Sequence, residues 1–531
     1  MKRFCILFYF LSIILSGQSS NWWVYFNDKS CSQSISLSDK SLEKRFLKNI
    51  PLDQYDFPVC QNYVDSLIEI GVTIRNSSRW LNAVSIQIEH DIILSQLSDF
   101  SFIKAIRPVC RLVTQQKIEL ETSSFSFDHF RITSSSPYGL SFNQIDMLGG
   151  VDLHNAGFMG EDMVIAVFDA GFNNVETLPI FQNLWDNNQI LDTYDFVDND
   201  VDVFGGGNHG TMVLSTMAGY MPDSLIGTAP NAQYMLFRTE DGASETLVEE
   251  DNWAAAAEYA DSLGVDIINS SLGYTILYDD TLNSHSYSDM DGNSTIITNA
   301  ADLAASRGIL VVNSAGNSGN NSWYYIGAPA DGDSVLAVGA VNSLGEITSF
   351  SSRGPSYDGR VKPNVCAQGL MTVVADSDSS VTFANGTSFS APIIAGLSAC
   401  LWQTNPTMSN MELYNIIEES AHLIDNPNDS LGYGIPNFYQ AYLNNLILNN
   451  IDNDFKIYPN PYTDVFYIDN YLSQDLNIKV FNMLGGLVYE LFAPQRQQKI
   501  IFDQLYYLNP GLYFIKINGF DPYPIVKIHE K

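Results

Sequence analysis

Val164-Ile165-Ala166-Val167-Phe168-Asp169-Ala170-Gly171 runs through five apolar residues onto a carboxylate and then small residues. A strand apolar at every position is buried on both faces, the habit of a parallel sheet rather than a half-solvated antiparallel one. Open sheets of that kind carry functional groups at the carboxyl ends of their strands, so Asp169 is a candidate for chemistry beside the plainer reading of a turn or cap. Outward from it the pattern recurs at Val265-Asp266-Ile267-Ile268-Asn269 and Ile309-Leu310-Val311-Val312, with helices predicted at Thr211 to Ala218, Val248 to Leu263 and Ile296 to Ser306. Residues 141–447 are therefore predicted as one large α/β domain, a mostly parallel sheet between layers of helix.

The flanks follow other rules. Residues 20–115 alternate strand and helix signals, from Trp22-Trp23-Val24-Tyr25-Phe26 through a helix at Gln61 to Ile70 and a strand at Leu81 to Ile88, which predicts a small α+β domain. Residues 116–140, with Thr122-Ser123-Ser124 and Ser134-Ser135-Ser136, have no period and are predicted as an exposed linker. Residues 455–531 return to short strands punctuated by Gly485-Gly486 and Asn509-Pro510-Gly511, the pattern of a small β-sandwich. At the other end, Met1-Lys2-Arg3 precedes an apolar run from Phe4 to Leu15 and then Ser16-Gly17-Gln18-Ser19, the order of a secretory signal peptide over residues 1–19. That run is shorter than the ~20 residues a spanning helix needs, and no later segment reaches that length, so no membrane-spanning segment is expected in the mature form.

Composition narrows the function classes. With 60 acidic residues against 26 basic ones, the formal charge of −34 repels phosphate backbones, which argues against nucleic-acid binding. The six cysteines are unevenly placed, and no disulfide framework is visible; Cys366 and Cys400 lie in apolar surroundings and read as buried small side chains.

Three further segments carry chemical potential. Asn208-His209-Gly210-Thr211-Met212 puts an imidazole after a glycine run at the start of an apolar helix. Asn385-Gly386-Thr387-Ser388-Phe389-Ser390-Ala391-Pro392 opens a helix predicted over Ile393 to Leu401 and so puts a hydroxyl at a helix N-terminus, where negative charge is favoured, and its glycine allows close backbone approach. Val311-Val312-Asn313-Ser314-Ala315-Gly316-Asn317 leads a strand into a small-residue turn ending on an amide that can donate to an oxyanion. Taken singly, each is as readily a cap or a turn residue.

Together and in this order, these segments resemble the subtilisin-like serine proteases. Further matches are Gly227-Thr228-Ala229-Pro230-Asn231-Ala232, Asn269-Ser270-Ser271-Leu272-Gly273, Gly327-Ala328-Pro329-Ala330, Ser349-Phe350-Ser351-Ser352-Arg353-Gly354-Pro355 and Lys362-Pro363-Asn364. The resemblance implies a subtilisin-like three-layer fold and a secreted serine endopeptidase, with Ser388 as nucleophile, His209 as general acid/base and Asp169 holding the imidazole tautomer. It implies that Asn317 and the Ser388 amide form the oxyanion hole, that Ser271-Leu272-Gly273 pairs with a polypeptide substrate, and that Ala315-Gly316 lines the pocket for the side chain before the scissile bond. Two departures stand beside the site: Ala170 where the family usually carries Ser or Thr, and Met212 where it usually carries His.

Residues 20–115 are similar to the inhibitory propeptide of these proteases, clearest at Trp80-Leu81-Asn82-Ala83-Val84-Ser85. Ile457-Tyr458-Pro459-Asn460-Pro461, Val480-Phe481-Asn482-Met483-Leu484-Gly485 and Pro510 to Ile517 resemble a type IX secretion sorting domain, over 455–531. That implies Sec export, the type IX machinery as a partner, and a secreted or cell-surface protein of a Bacteroidetes-like bacterium. The chemistry requires no cofactor. Asp195, Asp198, Asp200 and Asp202 share one loop, and Asp289-Met290-Asp291-Gly292-Asn293 resembles half a calcium loop, so Asp198, Asp200, Asp289 and Asp291 are the candidate ligands for structural Ca²⁺.

Overall fold

A computed structural model describes residues 20–31, 34–88, 92–111, 136–242, 248–275, 284–448, 455–470, 475–494, 499–518 and 522–528. The expected signal peptide and most of the expected linker lie outside these residues. The chain divides into two compact units, 1–438 and 439–531.

In the first unit, β1 (Ser20–Phe26), β2 (Thr73–Ser78), β3 (Ala83–Ile88) and β4 (Ile103–Arg111) form an antiparallel sheet of order β2-β3-β1-β4. Alternation splits β1 between two cores: Val24 and Phe26 pack with Val64 and Leu67 of the helix Gln61–Glu69, whereas Trp23 faces Val248 of the helix Val248–Leu263. The sheet therefore lies against the following domain instead of standing apart from it.

That following domain is built on β5 (Val164–Asp169), β6 (Ile190–Asp195), a ribbon of β7 (Tyr220–Met221) and β8 (Leu225–Ile226), then β9 (Gln233–Arg238), β10 (Ile267–Ser270), β11 (Leu310–Ser314), β12 (Val335–Val341) and β13 (Val365–Gln368). Seven of these pair as β13-β12-β11-β10-β5-β9-β6, parallel throughout. Every residue of β5, β10, β11, β12 and β13 is buried, which explains why the strands read as continuous apolar runs. On β5, Val164, Ala166 and Phe168 join a core with the helices Val248–Leu263 and Ile296–Ser306. The alternate residues, Asp169 among them, face the other layer, where the helices His209–Ala218 and Thr387–Gln403 pack together. The architecture is the expected three-layer α/β arrangement. The last of these helices starts at Thr387, well before Ile393 where the sequence placed its apolar stretch, and holds Pro392 in its first two turns, where few intrahelical donors are lost. A small hairpin, β14 (Thr372–Ala375) with β15 (Val381–Ala384), precedes it.

One expectation is corrected here. Cys31 and Cys60 form a disulfide, because the chain from the end of β1 returns to the start of the helix Gln61–Glu69. Their 29-residue separation gave no spacing signal. Cys366 and Cys400 are free and buried, as their apolar surroundings suggested.

The second unit holds two antiparallel sheets, β16 (Phe455–Tyr458), β17 (Phe466–Asn470) and β20 (Lys499–Phe502) in one, and β19 (Leu487–Ala493), β18 (Leu476–Asn482), β21 (Gly511–Ile517) and β22 (Tyr523–Lys527) in the other. Phe466, Ile468, Ile478, Val480, Ile500, Ile515 and Ile517 are fully buried in the core they share. No helix among the described residues is long and apolar enough to cross a membrane.

Candidate active site

The strand order decides where a site can form. β9 and β10 flank β5 on opposite sides, so the connections diverge at its carboxyl end and leave a crevice there. Asp169 is the last residue of β5 and is fully buried. Its Oδ1 accepts from the Ala170 amide at 2.8 Å, so the backbone supports the carboxylate where the family's usual hydroxyl is missing.

His209 opens its helix and turns Nδ1 onto Asp169, 2.8 Å from Oδ1 and 3.0 Å from Oδ2. Gly210 makes that approach possible, since a Cβ there would lie 2.4 Å from the Gly171 carbonyl oxygen and 2.9 Å from Asp169 Cβ. Burial alone depresses the imidazole pKa; the Asp169 charge and hydrogen bond, with a smaller contribution from Glu240, outweigh it and leave it raised. Phe389, next to Ser388, packs its ring 5.7 Å from the imidazole, which brings the hydroxyl-bearing helix to the same place.

Ser388 lies in the first turn of the helix Thr387–Gln403. Its Oγ donates to the Ser271 carbonyl at 3.3 Å, and Ser271 Oγ donates back to the Ser388 carbonyl at 2.9 Å. Leu272 follows with its carbonyl held by Asn313 Nδ2 at 3.0 Å, and Gly273 is exposed. Gly386 precedes the helix at φ 148°, a conformation that favours glycine, and a Cβ there would lie 3.4 Å from Asn317 Nδ2. Asn317 is exposed, and its Oδ1 accepts from Thr387 N at 2.9 Å and Thr387 Oγ1 at 3.0 Å, which turns the amide's NH₂ end the other way. Ala315 is buried, and the Gly316 amide donates to Thr387 Oγ1 at 3.2 Å. Hydrogen bonds thus join Asp169 to His209, Ser388 to Ser271, and Asn317 and Gly316 to Thr387, and the Phe389 ring links the first pair to the serine's helix. Thr387, Phe389 and Glu240 were not singled out; Thr387 and Phe389 sit inside the quoted serine motif, whereas Glu240 left no sequence signal. Met212 is buried in its helix.

The carboxylates of the acidic loops are engaged by arginine and by backbone amides. Asp195 and Asp198 both pair with Arg238 at 2.6 Å, and Asp200 accepts from the Asp202 amide at 2.8 Å. Asp289 accepts from the Ser286 amide at 2.7 Å, and Asp291 accepts from the amides of Asn293 at 2.9 Å and Ser294 at 2.8 Å. Among the described residues no three His, Cys, Asp or Glu side chains are grouped to hold a metal ion, so Asp198, Asp200, Asp289 and Asp291 do not assemble the expected Ca²⁺ ligands.

Residues 160–436 match the model of the subtilase family, peptidase S8. The chain belongs to the subtilase family. It is a serine-type endopeptidase. Residues 21–123 match the peptidase S8 propeptide domain of Bacteroidota, and residues 456–527 match a secretion system C-terminal sorting domain. This subtilase is accordingly secreted or displayed at the cell surface. It is similar to the thermophilic serine proteinase of Bacillus sp. (strain AK1), 32% identical over 256 residues, which cover 48% of this chain and only 56% of that protein. It is also similar to subtilisin DY of Bacillus licheniformis, 29% identical over 304 residues, 56% of this chain and 94% of that one. Among solved structures, the MycP3 protease from the type VII (ESX-3) secretion system is similar at TM-score 0.47 and 19% identity, covering 59% of this chain and 90% of that chain.

Proposed function

We infer that this subtilase hydrolyses peptide bonds of polypeptides through Asp169, His209 and Ser388. The observation that carries the reading is the buried Asp169 carboxylate gripping His209 Nδ1 at the carboxyl edge of the sheet, next to a serine in the first turn of a helix. Asp169 fixes the tautomer, so Nε2 is the basic nitrogen that accepts the Ser388 proton as Oγ attacks the scissile carbonyl. The Ser388 hydroxyl reaches Nε2 by turning away from Ser271. The oxyanion then receives the Ser388 N–H and Asn317 Nδ2, whose orientation Thr387 supports. His209 returns its proton to the leaving amine, and water repeats the sequence on the acyl-enzyme. Ser271-Leu272-Gly273 pairs with the substrate backbone, and Ala315-Gly316 lines the pocket for the residue before the cut.

The working enzyme is the segment 141–447, released when the chain is cut within 116–140 and the sorting segment 455–531 is removed after Sec export and type IX passage. The propeptide inhibits until it leaves. A fluorophosphonate probe on the matured protein tests this: the expected result is one adduct, on Ser388, lost in Ser388→Ala along with peptidase activity. Retained hydrolysis in Ser388→Ala overturns the assignment.

A further inference from the structure

The segment 34–60 of the propeptide meets the peptidase domain at the end of the Thr387–Gln403 helix opposite to Ser388. Its helix Asp39–Leu47 and the loop after it reach the amino edge of the parallel sheet, where β10 and β11 begin. Asp266, just before β10, accepts from the Val164 amide at 2.9 Å and takes Lys44 Nζ at 2.6 Å, with Lys48 Nζ at 4.0 Å. Lys44 also donates to the Gly264 carbonyl. Lys48 Nζ lies 3.8 Å from the centroid of the Trp402 ring. Trp402 and Ser388 are at opposite ends of one helix, so this contact is roughly 21 Å from the nucleophile at 1.5 Å per residue.

The contact is interlocked rather than superficial. Arg45 is 3% exposed and pairs with Asp261 at 2.8 Å, while Arg307 reaches back to Asp53 at 3.0 Å. A Cβ on Gly264 would meet the Ser41 amide nitrogen at 2.8 Å, and one on Gly308 would meet Ile50 at 2.6 Å, so two peptidase-domain turns are shaped to this segment. Lys44, Arg45, Lys48 and Asp53 all fall between Cys31 and Cys60, so the bridge closes a loop around the propeptide groups that pair with Asp261, Asp266 and Arg307. A second attachment starts outside the loop and meets the first at Asp261: Glu258 accepts from the amides of Arg79 at 2.7 Å and Trp80 at 3.3 Å, and Arg79 pairs with Asp261 at 2.6 Å beside Arg45.

We propose that the disulfide-closed loop Cys31–Cys60 is a second clamp that keeps the propeptide seated on the peptidase domain after the linker is cut, and that reducing the disulfide loosens it. The bridge limits the conformations open to the loop, so the clamp helix is presented at lower entropic cost than in an open chain. A dithiol reductant opens it by giving two electrons and two protons, leaving Cys31 and Cys60 as thiols and itself becoming a disulfide. The inference rests on the maturation reading above, in which the chain is cut within 116–140.

The full chain carrying Ser388→Ala, with a recognition site for a sequence-specific protease inserted between residues 116 and 135, separates the two readings, because no self-cleavage is needed. After cutting, the dissociation rate of the propeptide is measured by size exclusion and by a fluorophore on the propeptide. Lys44→Ala/Lys48→Ala strands Asp266 without its cations, and at least about a tenfold faster release is expected. Reduction of the folded, oxidised chain is expected to speed release by severalfold and to add little in the double variant. Since reduction is applied after folding, it also covers the case in which the lysine variant folds poorly. Release rates that neither change alters by more than twofold overturn the clamp; release altered by the lysines but not by reduction overturns its redox control.

Discussion

Thr387→Val is the most discriminating change at the site, because it leaves shape, triad and Asn317 intact. Thr387 Oγ1 donates to Asn317 Oδ1 at 3.0 Å and accepts from the Gly316 amide at 3.2 Å, while Thr387 N keeps its own bond to the same Oδ1 at 2.9 Å. The valine removes one of two restraints on the amide. A neutral hydrogen bond contributes about 0.5–1.5 kcal/mol, and if that preference is realised at the oxyanion, kcat falls by roughly 2- to 13-fold with KM little changed. Removing the amide altogether, in Asn317→Ala, is expected to cost about 10²–10³ in kcat, a range measured on a subtilisin of this same family. The assay is steady-state hydrolysis of a peptide anilide with active sites counted by fluorophosphonate titration, run as a double-mutant cycle. If Thr387 acts through Asn317, valine has no further effect once Asn317 is alanine. An equal loss in both backgrounds, or none in the parent, refutes the reasoning.

Three further outcomes are expected. Catalysis needs neutral His209, whose pKa is raised, so kcat/KM should fall as pH drops through a midpoint above the ordinary imidazole value of ~6.5, and Glu240→Gln should move that midpoint down. The stability linkage has the opposite sense: protonated His209 paired with Asp169 stabilises the fold below the unfolded pKa, and that contribution is lost as pH rises through the raised one, so a pH titration of unfolding in Asp169→Asn should lose it. Asp169→Asn should also lower kcat by about 10⁴ while leaving fluorophosphonate-independent folding signals such as near-UV circular dichroism unchanged. Burial pushes the Cys366 thiol up to about 12 and the Cys400 thiol well above its ordinary range, so mass spectrometry after iodoacetamide should find both unmodified in the native protein and alkylated only on unfolding.

The centre of the parallel sheet was legible because burial on both faces leaves a continuous apolar run, as in β5 up to Asp169, whereas the edge strand β6, Ile190–Asp195, is only partly buried, mixes polar with apolar residues and left no such run. The helix bearing Ser388 was harder to bound. Its first turn, Thr387 to Pro392, is small, polar and proline-containing, so local propensity suggested a start near Ile393, whereas packing of that turn against the sheet and against Asn317 makes it helical. The acidic loop shows a related limit. Carboxylates close in sequence look like a ligand set, but Arg238 lies 43 and 40 residues from Asp195 and Asp198 and reaches them only because β9 pairs beside β6.

The propeptide shows where sequence reading stops. Its hairpin at Trp80 could be matched to a family, and its apolar alternation predicted a sheet, yet the disulfide and the charged seam left no trace. Arg45 and Asp261 form one ion pair across 216 residues, and neither has a sequence neighbour that hints at the other. Buried charges are costly unless paired, so Arg45, Lys48 and Asp266 look like surface residues in the sequence and become intelligible only when the partner surface is present. The same logic bears on maturation. Departure of the propeptide is expected to return Asp261, Asp266 and Glu258 to solvent, since all three carboxylates meet its side chains or amides at the seam, so the acidic face should tolerate the loss of its cations. The network is therefore suited to a contact that must be strong while it lasts and then dispensable, which is what a removable inhibitor requires.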